Sequence, residues 1–197
     1  MHLYNKIKEY KLILASKSPR RQFLLKEMGL NFDVVVPQDV DEVYPFSLKP
    51  IEVPVFLAEL KAKAFGFIDT STIVITADTI VHLDGKILGK PADYNEAFEM
   101  IRSLSGREHQ VYTGVCIRIG EALHSFVDES RVFFTKLTDD EIKYYIENYN
   151  PYDKAGAYGA QEWIGYVGIE RIEGSYFNVM GLPVQRLYEE ISKMLSE

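Results

Sequence analysis

A tight turn within residues 12–25, which read LILASKSPRRQFLL, carries cations where they are not expected. The apolar start predicts a strand, Ser18 has the side chain of a helix N-cap, and Pro19 suits the first helical turn. Arg20 and Arg21 follow at the helix N-terminus, where cations oppose the helix dipole by about 0.3–1 kcal/mol each. A bound anion would resolve the conflict, because free N–H groups at a helix N-terminus favour phosphate. The alternative is a surface arginine pair that forms salt bridges with acids elsewhere.

Asp78 is a second polar group in an unexpected place. It lies in the middle of IVITADTIVHL, residues 73–83, the most apolar strand segment of the chain. An ionised carboxylate there is costly unless it is paired, hydrogen-bonded or bound to a metal. Thr79 adds another polar group where the pattern favours an apolar one. We interpret Asp78 as functional; the alternative is a strand aspartate that only accepts backbone hydrogen bonds.

Two lysines are candidates for the same chemistry. Lys61 lies in a helix predicted over Pro54–Phe67, at the edge of its buried face, where a lysine either extends to water or directs its ammonium into a cleft. Lys90 lies in GKILGKP, which is not a P-loop, because the spacing is one residue short and Pro91 replaces the magnesium-binding Ser or Thr. Lys90 is a candidate phosphate contact or a solvated loop lysine. The predicted apolar face of the helix consists of Phe56, Leu57, Leu60, Ala64 and Phe67.

Cations combined with carboxylates suit the hydrolysis of a phosphoanhydride. Lysines and arginines would hold the phosphates and offset charge on the leaving group. Asp78 and Glu42, the latter in an acidic loop after a strand predicted at Phe32–Val36, would hold a divalent metal, and one of them would activate water. The residue types indicate a phosphate-handling enzyme and do not identify the bond that is cleaved. The cationic and hydroxyl candidates are Ser16, Arg20, Arg21, Lys61 and Lys90.

Composition excludes several other classes of protein. The 197 residues fit one domain, or one domain with two lobes, and 47% hydrophobic with 26% charged residues is ordinary for a globular chain. A net charge of -7 opposes a broad nucleic-acid surface. Cys116 is the only cysteine, which excludes an intrachain disulfide and favours a buried thiol. Without a signal-peptide pattern or a membrane-length apolar run, we expect a cytoplasmic protein with no membrane association.

Strands and helices alternate along the chain, which indicates the α/β class with parallel and antiparallel pairing. An Asp84-Gly85 hairpin turn follows the Asp78 strand, and a later strand is predicted at Tyr166–Ile172. Between them, residues 151–163 (PYDKAGAYGAQEW) are too irregular to be a core element, and their polar residues make them a candidate binding loop. Further predicted elements are a helix ending at Leu104, strands at Gln110–Ile119 and Leu123–Phe134, a helix capped by Thr138 and Glu141, and a helix beginning at Pro183.

Nine short motifs, taken in order, resemble the Maf family of nucleoside triphosphate pyrophosphatases. Each motif is weak by itself, but their common order over nearly the whole chain is specific. The motifs are SKSPRR (16–21), LAELKA (57–62), ADTIV (77–81), LGKP (88–91), LSG (104–106), VYTGV (111–115), DKAGAYGAQ (153–161), EGSY (173–176) and VMGLP (179–183).

The resemblance implies the inosine-triphosphatase-like fold, an elongated, twisted mixed β-sheet flanked by helices, with two lobes and a central cleft. It implies one Maf-like domain over residues 1–197, with residues 1–10 as an N-terminal extension, and a homodimer. It also implies hydrolysis of a nucleoside triphosphate between the α and β phosphates with Mg²⁺ or Mn²⁺. Asp78 matches the proton acceptor and, with Glu42, the metal ligands. Ser16, Arg20, Arg21, Lys61 and Lys90 match phosphate contacts, and Arg20, Thr79 and Gln161 match positions associated with base selection.

Arg20 together with ADTIV and AYGAQ resembles the family branch that prefers dTTP and UTP, as opposed to the branch that prefers 7-methyl-GTP. Ala160 and Glu162-Trp163 depart from that branch's usual pattern. Two other functions stay open. One is a nucleotide-binding regulator of septum formation and cell division, and the other is a pyrophosphatase for the purine nucleotides ITP and XTP.

Overall fold

The computed structural model describes residues 3–38 and 40–196, and its framework is a seven-stranded mixed sheet in the order β2-β1-β3-β5-β6-β7, with β4 paired to β3. Strand β1 is parallel to β2 and β3, whereas the β3–β4 and β6–β7 pairs are antiparallel. The prediction of a mixed α/β fold is confirmed. The strands are β1 (Lys11–Leu14), β2 (Asp33–Val34), β3 (Thr72–Leu83), β4 (Lys86–Leu88), β5 (Glu108–Ile119), β6 (Ala122–Phe134) and β7 (Ile169–Glu173).

Helices precede and follow the strands. They are α1 (Leu3–Lys6), α2 (Pro19–Glu27), α3 (Val53–Lys63), α4 (Tyr94–Leu104), α5 (Asp139–Tyr149), α6 (Trp163–Gly168), α7 (Tyr176–Met180) and α8 (Val184–Met194). Among the described residues no helix is long and apolar enough to cross a membrane.

The chain divides into two compact units. The first unit consists of Met1–Asp78, Thr113–Asp128 and Gly181–Glu197, and the second of Thr79–Tyr112 and Glu129–Met180. Met1, His2, Asp39 and Glu197 lie outside the described residues.

In the first unit, α3 packs very closely on the sheet. A Cβ atom added to Gly114 in β5 would lie 2.3 Å from the backbone of Pro54 and Val55. The hydroxyl of Thr76 in β3 donates to the carbonyl of Ala58 at 2.6 Å. Arg118 donates to the carbonyl oxygen of Ala62 at 2.9 Å, which satisfies an acceptor at the helix C-terminus. These contacts fix the helix that carries Lys61.

This close packing corrects the predicted apolar face of α3. The helix ends at Lys63, and Phe67, predicted to be buried, is 86% exposed beyond the left-handed Gly66. Leu57 is buried as predicted, whereas Phe56 and Leu60 are only half-buried and Ala64 is exposed. The buried residues of α3 are Val53, Pro54, Leu57, Ala58 and Ala62.

In the second unit, the prediction that residues 151–163 are not part of the core is wrong. Tyr158 is buried, and its hydroxyl lies 2.8 Å from Nε2 of His109. Gly156, at a φ of 68°, lies against Val81, where a Cβ would be 2.9 Å from a side-chain methyl. Side-chain contacts therefore bury a segment that the sequence pattern could not assign to a helix or strand. The buried residues of this segment include Gly156, Ala157, Tyr158, Gly159 and Ala160.

Two strand predictions also need correction. The strand predicted at Tyr166–Ile172 begins only at Ile169, because residues 163–168 form α6. The helix can form because Gly165 has no Cβ, which would lie 1.8 Å from the carbonyl oxygen of Ala160. The strand predicted at Phe32–Val36 is reduced to Asp33–Val34. Short apolar runs do not distinguish strand from helix by periodicity alone.

We expect Gly114→Ala to lower the free energy of unfolding by about 1–3 kcal/mol or more, because the added methyl group would overlap backbone atoms. Gly89→Ala is the matched control, since no heavy atom lies within 4 Å of its added Cβ. Urea unfolding monitored by circular dichroism measures both. Equal stability of the two variants would contradict the proposed α3 contact.

A pH dependence follows from His109. Burial lowers its pKa from 6.5 to about 3, opposed by the charge of Glu108. As the pH falls below about 6.5, His109 becomes protonated in the unfolded chain but stays neutral in the folded chain. The free energy of unfolding therefore decreases as the pH is lowered. Lowering the pH from 7.5 to 5 should reduce the free energy of unfolding by about 2 kcal/mol through this group alone. We expect His109→Phe to lose this part of the pH dependence in urea unfolding; an unchanged slope would contradict it.

Candidate active site

The centre of the candidate site is the ammonium of Lys61, which pairs with two carboxylates. Its Nζ lies 2.6 Å from Oδ1 of Asp78 and 2.9 Å from Oε2 of Glu42. The Lys61 and Asp78 side chains are only 15% and 14% exposed, whereas that of Glu42 is 51% exposed. The carboxylate within the apolar strand thus has a sheltered cationic partner, and the second acid lies on the solvent side.

The local sequence explains this geometry. Side chains two residues apart share one face of a strand, so Thr76 and Asp78 both face α3. The Thr76 hydroxyl binds the carbonyl of Ala58, and Lys61 follows Ala58 by about one helical turn. The hydrogen bond that fixes the helix on the strand therefore also brings Lys61 to Asp78.

Arg21 connects three segments of the first unit. Its Nη1 donates to the carbonyl oxygen of Ala77 at 2.8 Å and to the hydroxyl of Ser16 at 3.4 Å. Its Nε donates to the carbonyl oxygen of Gly181, also at 2.8 Å. Ser18 caps α2 as predicted, since its side chain accepts from the backbone N–H of Arg21. Arg21 is therefore a structural link as well as a charge in the predicted phosphate turn.

Both acidic and basic side chains lie near Arg21. Burial lowers the pKa of its guanidinium, the nearby Asp78 and Glu42 carboxylates oppose that shift, and the neighbouring Arg20 adds to it. Arg20 itself is half-buried on the first turn of α2. Two cations and two carboxylates thus act on one another within the first unit. Phosphate binding by this turn stays a prediction.

The distance between the Asp78 and Glu42 carboxylates is compatible with binding of one divalent metal ion. Asp78 and Glu42 both reach one ammonium, so they lie close enough to share a single cation. Mg²⁺ is often bound by only one or two protein carboxylates, with waters and substrate phosphates completing its shell. Among the described residues, no group of three or more His, Cys, Asp and Glu side chains could hold a metal ion. Metal binding by Glu42 and Asp78 stays a prediction.

The remaining predicted residues, Thr79, Lys90 and Gln161, belong to the second unit. In the hairpin formed by β3 and β4, Val81 pairs with Leu88, and Thr79 and Lys90 each lie two residues beyond that pair. Thr79 and Lys90 are therefore at the same open end of the hairpin. Gln161 is half-buried, and its Oε1 atom is buried without a hydrogen-bond partner among the described residues.

Asp153 and Lys154 belong to the polar residues of the predicted binding loop, but sequence reasoning missed that Glu162 and Tyr145 join them in one cluster. The Lys154 side chain is only 7% exposed and lies 2.8 Å from Asp153 and 3.1 Å from Glu162. Glu162 also accepts a hydrogen bond from the hydroxyl of the buried Tyr145. The sequence offered only a faint signal, because Tyr145 looks like any apolar member of a helix face and Glu162 stands at the end of an irregular loop.

The chain is similar to known proteins over nearly its whole length. A family model described as Maf-like protein matches residues 11–194. A dTTP/UTP pyrophosphatase of Porphyromonas gingivalis is 52% identical over 192 residues, covering 96% of both chains. One of Bacteroides thetaiotaomicron is 50% identical over 187 residues, covering 94% of this chain and 97% of that protein.

A solved structure shares the fold. The Staphylococcus aureus Ham1 protein superposes with a TM-score of 0.51 at 16% identity, covering 93% of this chain and 99% of that one. The predicted resemblance and fold class are confirmed.

We expect Lys61→Met to lower the free energy of unfolding by about 1–3 kcal/mol, because the poorly exposed Asp78 carboxylate loses its hydrogen-bonded partner. Adding Asp78→Asn should recover most of the loss, since the unpaired charge is removed. Lys63→Met breaks only the exposed pair with Glu59, 3.3 Å long, and serves as the control. Chemical unfolding of the wild type, both single variants at Lys61 and Asp78, the double variant and the control measures these effects, and additive losses in the double variant would refute the pairing.

Proposed function

Because this chain belongs to the Maf-like protein family, we propose that it hydrolyses nucleoside triphosphates, with dTTP and UTP as its substrates. The bond cleaved is the α–β phosphoanhydride, and the products are the nucleoside monophosphate and pyrophosphate. Relatives about half identical over nearly their full length carry the name dTTP/UTP pyrophosphatase. The observation that carries the proposal is the sheltered Asp78 carboxylate held between β3 and the Lys61 ammonium.

Asp78 is the proposed proton acceptor. Its carboxylate orients a water molecule and takes its proton as the water oxygen bonds to the α-phosphorus and the bond to the β-phosphate oxygen breaks. A fixed position favours this role, because catalysis by a poised base requires its geometry to be set before the substrate binds. Packing of α3 on the strand supplies that position.

The cations are proposed to bind the polyphosphate. Ser16, Arg20 and Arg21 belong to the turn that opens α2, Lys61 lies on α3, and Lys90 follows β4. Fixed cations stabilise charge that develops on the leaving pyrophosphate, and in a sheltered site they do so more strongly than in water. Arg21 is already held by three hydrogen bonds, so its guanidinium needs little reordering.

Glu42 and Asp78 are proposed to hold a divalent cation, Mg²⁺ or Mn²⁺. When bound, such an ion would offset the charge of the triphosphate. The two carboxylates differ in exposure, so we expect them to differ in mobility when the ion binds. Glu42 can adjust to the incoming ligand, whereas Asp78 is fixed by its strand and by Lys61.

Base selection is assigned to Arg20, Thr79 and Gln161. We also propose that the two units form one Maf-like domain, that the protein is a homodimer and that it acts in the cytoplasm. These assignments rest on the family membership.

Two other functions make different predictions. A nucleotide-binding regulator of cell division would bind dTTP tightly and release no pyrophosphate in the presence of Mg²⁺ or Mn²⁺. A purine house-cleaning enzyme would prefer ITP and XTP in a panel of triphosphates assayed side by side. The proposed function requires pyrophosphate release that is fastest with dTTP and UTP.

We expect Asp78→Asn to reduce kcat for pyrophosphate release from dTTP by about a hundredfold or more, as for other groups placed at a reacting centre. The neutral amide keeps the size of the side chain but cannot take the proton. Asp84→Asn, at the exposed turn between β3 and β4, is the control and should keep full activity. A pyrophosphate-coupled assay with circular dichroism of each variant measures this, and full activity of Asp78→Asn would remove Asp78 from the mechanism.

A further inference from the structure

The segment that carries Gln161 has little regular backbone structure to hold it. It contains two short 3₁₀ turns, Pro151–Asp153 and Ala155–Ala157, and two consecutive residues with positive φ, Gly156 at 68° and Ala157 at 59°. Residues 158–162 follow as an extended stretch and a turn before α6 begins at Trp163. Their position must therefore depend on side chains.

The side chain of Tyr145 provides two of the contacts. Its hydroxyl accepts a hydrogen bond from the backbone N–H of Gly159 at 2.9 Å and donates one to the Glu162 carboxylate. The ring is fully buried on α5 and stacks on Tyr149 with centroids 5.2 Å apart. One rigid hydroxyl thus holds the chain on both sides of Gln161.

Lys154 fixes Glu162 from the other direction. Its Nζ lies 3.1 Å from Oε1 of Glu162, and the two side chains are only 7% and 19% exposed. A buried ammonium is stable only with such a partner, so the ion pair disfavours any other position of Glu162. Gly159 completes the packing, because a Cβ there would lie 2.9 Å from Cδ of Glu162 and 2.8 Å from Nε2 of Gln161.

The contacts of Tyr145, Lys154 and Glu162 surround Gln161 but leave one of its side-chain atoms without a hydrogen bond among the described residues. Its carboxamide lies over the backbone of Gly159, and its Oε1 is buried with no hydrogen bond among the described residues. A buried polar atom without a partner is costly, and such atoms often mark a functional group. A carboxamide has a donor and an acceptor side by side. In one orientation it pairs with the ring N–H and carbonyl of uracil or thymine, and in the reverse orientation with the ring nitrogen and amino group of cytosine, so only a carboxamide held in one orientation selects between these bases.

We propose that Tyr145 and Glu162, with Lys154, are positioning residues that hold Gln161 for recognition of the uracil or thymine base. The inference rests on the proposed function and adds a cause for base selection. Neither Tyr145 nor Glu162 needs to touch the substrate. Loss of the contacts among Tyr145, Glu162 and Lys154 should therefore reduce the selectivity for the base and leave the chemical step at the phosphates unchanged.

The test compares Tyr145→Phe with Tyr149→Phe. Each loses one hydroxyl from the same helix and keeps its ring, but only Tyr145 contacts Gly159 and Glu162. We expect Tyr145→Phe to raise KM for dTTP about fivefold or more with kcat nearly unchanged, and to reduce the dTTP over dCTP ratio of kcat/KM by a similar factor, as expected for loss of fixed hydrogen bonds. Tyr149→Phe should keep the wild-type ratio.

Glu162→Gln is the second variant, because it keeps an acceptor for Tyr145 and removes the charge opposite Lys154, which still pairs with Asp153. We expect a smaller loss of the same selectivity, with thermal unfolding measured beside it. Wild-type selectivity in both variants, or an equal fall in kcat for dTTP and dCTP, would overturn the positioning role while the wild-type enzyme still supports the proposed function. Absence of dTTP hydrolysis by the wild type would overturn both.

Discussion

A carboxylate inside an apolar strand is the constraint on which the first unit depends. Asp78 is only 14% exposed, so its charge requires a cation close by. Lys61 can supply that cation only if α3 has one particular position and orientation on the sheet. The Thr76 hydroxyl, the missing side chain of Gly114 and the guanidinium of Arg118 all fix α3 there. Stability and the proposed chemistry thus depend on the same helix position.

The second unit also contains a poorly exposed lysine that is paired with two carboxylates. Lys154 is also an ammonium between two carboxylates, but its partners Asp153 and Glu162 come from one irregular segment. There the ion pair shapes a loop, whereas Lys61 joins a helix to a strand. The proposed roles differ accordingly, since Lys61 acts at the phosphates and Lys154 supports the position of Gln161.

The sequence predicted the elements with strong local signals and missed those that depend on tertiary contacts. The cap at Ser18, the Asp84-Gly85 turn and the capping box of Thr138 and Glu141 appear where predicted, because each is defined by neighbouring residues. The buried face of α3 was predicted only in part: Leu57 is buried, but no periodicity reveals the close contact at Gly114 or the exposure of Phe67. Glu162 was missed for the same reason, as its partner Tyr145 lies 17 residues earlier on another element.

Arg21 has a consequence for how the protein is made. Its guanidinium binds the carbonyl oxygens of Ala77 and Gly181, and the second of these lies 160 residues further along the chain. Arg21 can therefore form this hydrogen bond only after the intervening chain, which includes most of the sheet, has been synthesised. The hydrogen bonding of the turn at residues 16–21 is completed by a long-range contact, although its cap at Ser18 is purely local.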